Sequence, residues 1–269
     1  MKRLFGVVLL LFLAFSGCSN KIDNLEPIET KPSASCITVT VSQEPRDFGG
    51  FTAGPAGDAD SAVKLVQAAL ERYPAGFADQ WGPVEIILVG GLTGTESFAG
   101  GRYAGFTQSI GDGWRMVLDA DRLNAGTIHH EIAHILDGIL TEAGALTETE
   151  WMAFCPSGFA YGPEQALCPD FFADAYAMTD IREDRARTFE EAMLWGPGVY
   201  ADSPALWLKL EYLSRAIRSH FDTVGWPEKT DWELALEWKK PAERQAFYDI
   251  LLSQYDIRLT PHDILALQA

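Results

Sequence analysis

The residues best placed to do chemistry form one short run, His129-His130-Glu131-Ile132-Ala133-His134. On a helix, residues four apart share a face, so His130 and His134 can turn two imidazoles toward one metal ion. Glu131, just round the helix from His130, can reach a water activated by that metal and act as general base. His-Glu-x-x-His on a helix thus carries two zinc ligands and the base of a hydrolase. His129 points elsewhere on the helix and reads as a packing residue or one that supports a ligand from behind. A catalytic zinc usually has three protein ligands and a water, so a third must come from another segment. Pro169-Asp170-Phe171-Phe172-Ala173-Asp174-Ala175-Tyr176-Ala177 is the best candidate. Proline suits a first helical turn, and Ala, Phe and Met continue a helix. On such a helix Asp170 would ligate zinc. Asp174, one turn on, would accept the free N–H of His130 or His134 and fix its ring. Glu148, Glu150 and Glu164 are the alternatives for the third ligand.

The elements that must position these groups are legible in outline. Ile128, Ile132, Ile135, Leu136 and Ile139 recur at helical spacing and form an apolar stripe behind the ligands. Asn124 or Thr127 can cap the start of that helix, and Gly144 lies just past its end. Upstream, Cys36–Val41 alternates and is β-branched, so it reads as a strand. Asp60–Tyr73 reads as a helix ending before Pro74, and Val84–Val89 as a second strand. Residues 90–101, with five glycines, read as a loop. Arg102–Gln108 and Trp114–Asp119 read as strands around a Gly111-Asp112-Gly113 turn. Downstream, Arg187–Leu194, Ala205–His220 and Glu243–Tyr255 read as helices. His220 and His262 lie outside any metal spacing.

The motif and its context resemble the gluzincin layout of zinc metallopeptidases. The text His130-Glu131-Ile132-Ala133-His134-Ile135-Leu136-Asp137, with Asp170-Phe171-Phe172-Ala173-Asp174-Ala175-Tyr176 after it, is similar to the anthrax lethal factor-like branch and to the zinc-binding metallopeptidase lipoproteins of Bacteroidetes. The resemblance covers roughly residues 100–180. It implies Zn2+ as cofactor and an α+β, zincin-like domain, a small mixed sheet plus the active-site helix, followed by a mainly helical part over about 180–269. The strand before the helix would form the rim of the cleft and pair with an extended peptide; Tyr103–Gln108 or Trp114–Asp119 fits that place. That family's third ligand is normally Glu. Asp170 is one methylene shorter, so either its helix sits closer or another residue ligates. Tyr161-Gly162 precedes Asp170 much as a Tyr-Gly precedes the ligand helix in the lethal factor-like branch, which implies that the Tyr161 hydroxyl stabilises the oxyanion.

The N-terminus speaks to location. Lys2 and Arg3 precede an apolar run over 4–15, too short for a comfortable membrane span. It ends Phe15-Ser16-Gly17-Cys18, similar to a bacterial lipoprotein signal in which Cys18 is lipidated after cleavage. Residues 1–18 are thus expected to be removed or lipidated, 19–35 to be a polar tether, and 36–269 to form the folded part. An outer-membrane home, periplasmic or at the cell surface, is expected. Cys155 and Cys168 flank the segment before Asp170, and an exported chain favours a disulfide there. Closing that loop of about 14 residues would contribute roughly 3 kcal/mol. Cys36 could replace either partner or stay buried, and no Cys-x-x-Cys supports a cysteine zinc cluster. The formal net charge is −17, and near −19 without Lys2 and Arg3, which disfavours nucleic acid as a partner.

The expectation is an exported zinc metallohydrolase, a metallopeptidase taking a peptide or protein substrate and held to the membrane by its N-terminal lipid. The alternative is a surface accessory of a nutrient-import system with TonB-dependent components, binding substrate with weak or no peptidase activity. Zinc content separates the two.

Overall fold

A computed structural model describes residues 36–95, 100–163, 165–166 and 168–237. Cys18, Glu164, Glu243–Tyr255 and His262 lie outside the described residues. The architecture is α+β, a mixed sheet followed by a mainly helical C-terminal part. β1 (Ile37–Val41) crosses through α1 (Asp60–Leu70) to β4 (Val84–Gly94), which it pairs in parallel. Between β1 and α1, β2 (Arg46–Asp47) and β3 (Phe51–Gly54) form a small hairpin whose second strand pairs antiparallel with the far end of β4. β6 (Gly113–Asp119) lies parallel to β4 on its other side. β5 (Gly105–Ile110) pairs antiparallel with β6 and ends the strand order β2-β3-β4-β6-β5.

The first five residues of the glycine-rich stretch, 90–94, are strand and not loop, and 96–99 lie outside the described residues. β4 continues through Gly90 and Gly91 to Gly94. At Gly90 a Cβ would come within 2.5 Å of the Pro55 carbonyl oxygen, so glycine lets the β3 side approach. Asp119, fully buried at the end of β6, accepts from the amides of Gly91, Leu92 and Asp121 and pins this turn of the sheet.

α2 (Ala125–Glu142) carries the motif and follows β6 directly. Asn124 caps it, its side chain accepting from the Thr127 amide at 3.1 Å. Gly144, at φ 70°, sits just past its end. Ile128, Ile132, Ile135 and Leu136 are buried, as the stripe requires. Gly138 lets the helix close on the sheet, for a Cβ there would lie 2.1 Å from the Trp114 ring.

Beyond α3 (Glu148–Met152) the structure departs from expectation. Residues 169–179 form turns, not a helix. The next helix, α4, runs Ile181–Trp195, six residues earlier than the periodicity of 187–194 suggests. It packs along α2, and α5 (Pro204–His220) and α6 (Asp231–Leu234) pack against it. Two buried ion pairs fasten α4. Arg185 meets Asp137 of α2 at 2.6 Å, and Asp184 meets Lys209 of α5 at 2.7 Å. No helix among the described residues is long and apolar enough to cross a membrane.

Candidate metal centre

The packing of α4 on α2 brings a third ligand-type side chain to the histidine pair, and it is Glu183. Nε2 of His130 lies 3.0 Å from Glu183 Oε2 and 3.2 Å from Nε2 of His134, which is 3.5 Å from the same carboxylate oxygen. Among the described residues, His130, His134 and Glu183 form the group that could hold a metal ion. Tetrahedral ligands about 2.0–2.1 Å from a zinc ion stand about 3.3 Å apart, so the triangle has the size that zinc requires. Two imidazole nitrogens facing each other also need a cation or a proton between them. Burial alone would lower His130, but its hydrogen bonds to Glu183 and Glu190 outweigh this and raise its pKa to about 10. Burial would raise Glu183, yet bonds to His130 and His134 hold it well below the usual carboxylate range.

Glu183 reaches the site because Asp180 caps α4 through the Arg182 amide at 2.9 Å, starting the helix three residues before the ligand. The pattern Asp180-x-x-Glu183 is the sequence signal that could have located it. Glu190, seven residues on, shares a face with Glu183. It takes the other ring nitrogen of His130, Nδ1, at 3.2 Å, and so turns Nε2 toward the metal position. Arg187 bridges Glu190 and Asp174, the latter at 2.9 Å. Gly126 on α2 makes room, since a Cβ there would come within 2.5 Å of Glu190 Oε1.

Asp170 is exposed in a turn, apart from the histidines, and its backbone carbonyl accepts from Ser203. Because 169–179 is not helical, Asp170 and Asp174 share no helix face. Asp174 accepts from the Ala177 amide and pairs with Arg187, so it supports Glu190 and does not itself touch a ligand ring. Glu150 accepts from Tyr212 and Thr147 at the start of α3. Tyr161 donates to buried Asp184 at 2.7 Å and lies 3.5 Å from the Cys155 thiol. Burial, beside Asp184 and Cys155, pushes its hydroxyl far above the usual tyrosine range. Its hydroxyl is committed to that interior cluster, not to the metal position. Tyr176 is a tyrosine beside the site: half-exposed, its ring 6.1 Å from that of His130, with burial foremost and the nearby Glu183 carboxylate pushing its hydroxyl above the usual tyrosine range. The Cys155–Cys168 disulfide is not formed. Both are free thiols, Cys155 facing Tyr161 and Cys168 the Ala166 carbonyl.

Glu131 is buried between α2 and β5, and this burial raises its carboxyl. Thr107 of β5 donates to its carboxylate at 2.8 Å. His129, fully buried, faces away from the site, with Nδ1 2.9 Å from the Tyr73 hydroxyl and Nε2 3.4 Å from Arg72.

No family model matches the chain, and no curated protein matches it. Among solved structures, the chain is similar to one from Bacteroides caccae described as a "putative zinc-binding metallo-peptidase", with 19% identity, a TM-score of 0.43, and coverage of 72% of this chain and 77% of that one.

Proposed function

We propose that the protein is a zinc-dependent metallopeptidase whose metal ligands are His130, His134 and Glu183. The observation that carries this is the triangle of Nε2, Nε2 and Oε2 atoms at zinc-ligand spacing, with Glu131 next in sequence. A zinc ion held there would polarise a substrate carbonyl and make water a stronger acid. Glu131 takes the proton from the attacking water and returns it to the leaving amine. Tyr176 turns its hydroxyl toward the carbonyl oxygen, the part first expected of Tyr161. Glu190, steadied by Arg187, keeps the His130 ring in place. β5 ends the strand order beside the site, and its outer edge suits an extended peptide added as a further strand.

Glu131→Gln tests the reading. The variant is expected to keep stoichiometric zinc and to lose hydrolysis of a peptide library by about 10²–10⁴-fold. Full activity in zinc-loaded Glu131→Gln would refute it. Wild-type protein without zinc would favour the accessory role at a nutrient importer with TonB-dependent components.

The proposal includes export and a lipid anchor at Cys18, supported by Lys2, Arg3 and the apolar run over 4–15. Cys18→Ala is expected to move the protein from the membrane fraction to the soluble one. Unchanged fractionation would remove the anchor from the proposal.

A further inference from the structure

We propose that Gly105 and Thr107 of β5 are positioning residues for Glu131, and that the edge strand holds the two carboxylate oxygens of the base in separate places. The inference rests on the reading of Glu131 as general base. Residues two apart on a strand face one side, and 105 and 107 both face α2. The Thr107 hydroxyl has one proton and two acceptors within reach, Glu131 Oε2 at 2.8 Å and the Glu131 backbone carbonyl at 3.1 Å. A bond to a carboxylate is charge-assisted and stronger than one to a carbonyl, so Oε2 is the preferred acceptor. When the carboxyl gains a proton, the same hydroxyl can move to the carbonyl without leaving its place.

The other oxygen, Oε1, lies over Gly105. A Cβ at 105 would stand 3.1 Å from Oε1, 3.2 Å from Glu131 Cγ and 2.9 Å from Leu118 Cδ2. Leu118 is fully buried and has little freedom to yield. Gly105 is not among the glycines with positive φ, so its backbone conformation does not demand glycine. Glycine in a strand often marks a place where another group approaches the backbone closely, and Gly105 is the first residue of β5. Here two groups approach, the Leu118 side chain and, a few tenths of an ångström farther, the side chain of the base. Rotation about the last torsion of a glutamate is soft. A donor on one oxygen and a bare backbone beneath the other define the carboxylate plane. The strand proposed to pair with the peptide therefore also orients the group that moves the proton.

The test uses the full-length zinc-loaded protein and one peptide that the wild type cleaves from a mixed pool. Thr107→Val is expected to lower kcat about 10- to 100-fold, with KM within about twofold, because a misplaced catalytic group costs rate more than binding. Zinc stoichiometry stays at the wild-type value. Thr107→Ser, which keeps the donor, is expected to recover kcat to within about threefold of wild type, and Gly105→Ala to lose about tenfold or more. A role in folding alone would lower Thr107→Ser and Thr107→Val alike, or leave kcat unchanged in both, and either pattern overturns the proposal. A second measurement is independent of activity. In chelated protein, the fall in Tm caused by Thr107→Val is expected to shrink by at least about half when Glu131 is already Ala. An equal fall in both backgrounds overturns the inference. Wild-type protein that holds zinc and cleaves nothing would defeat the peptidase reading, and the melting cycle would still decide the placement of Glu131.

Discussion

At the scale of single residues, the site turns on which carboxylate completes the histidine pair. His130, Glu131 and His134 are legible from spacing alone, because a helix converts a four-residue interval into a shared face. The third ligand comes from another helix, 49 residues after His134, so it is legible only if that helix is started correctly. Asp170 and Asp174 have the right interval but no helix beneath them. Glu183 has the helix, with Asp180 capping it, inside a run dense in charge. The assignment predicts that Glu183→Gln binds zinc at least about 10- to 100-fold more weakly, as loss of even an outer partner of a metal site does. Asp170→Asn is expected to bind as tightly as the wild type. Competition against a chromophoric chelator measures both, and the reverse order would restore Asp170. Glu190→Gln falls between them, weakening zinc without removing a ligand.

At the scale of elements, α4 shows why the sequence misleads. Its text, Ile-Arg-Glu-Asp-Arg-Ala-Arg-Thr-Phe-Glu-Glu-Ala-Met-Leu-Trp, has the look of a solvated helix, yet Asp184, Arg185, Thr188 and Glu190 are buried. Each charge has a partner on another element: Asp137 for Arg185, Lys209 for Asp184, His130 for Glu190. Burial that depends on partners tens of residues away leaves no local periodicity. The strands and α2 were legible because their burial is apolar and periodic. The Asp137–Arg185 pair flanks the metal triangle and fixes how α4 lies on α2. Asp137→Ala would leave Arg185 buried and uncompensated, at a cost of about 3–5 kcal/mol. Thermal unfolding should show a drop of about 10 °C for a domain of this size. Replacing both, Asp137→Leu with Arg185→Met, should recover most of it, since the buried charge goes with its partner. A loss under about 1 kcal/mol in Asp137→Ala would show that water reaches Arg185.

At the scale of the whole molecule, His129 ties the motif helix to the end of the α1 region and to α6. Arg72 approaches its Nε2 and also pairs with Asp231, while Tyr73 meets its Nδ1 within an aromatic cluster of Phe77, Trp81, Phe189 and Trp232. Arginine only donates, so Nε2 accepts and Nδ1 carries the proton that goes to Tyr73. This wiring needs a neutral ring. Burial foremost, with Arg72 beside it, lowers the His129 pKa from 6.5 to about 4. Between those values the unfolded chain binds a proton at His129 that the native protein does not, so native stability falls as the pH drops from 6.5 toward 4. The full effect is about 3 kcal/mol. Glu131, raised by burial, acts in the opposite direction above its unfolded pKa. The discriminating measurement is therefore the difference between wild type and His129→Gln in chelator. That difference should favour the wild type near neutrality and shrink steadily through this window. A difference that stays constant with pH would mean that His129 takes up its proton at the same pH in the native and the unfolded protein, and that its Nε2 is not held neutral as an acceptor for Arg72.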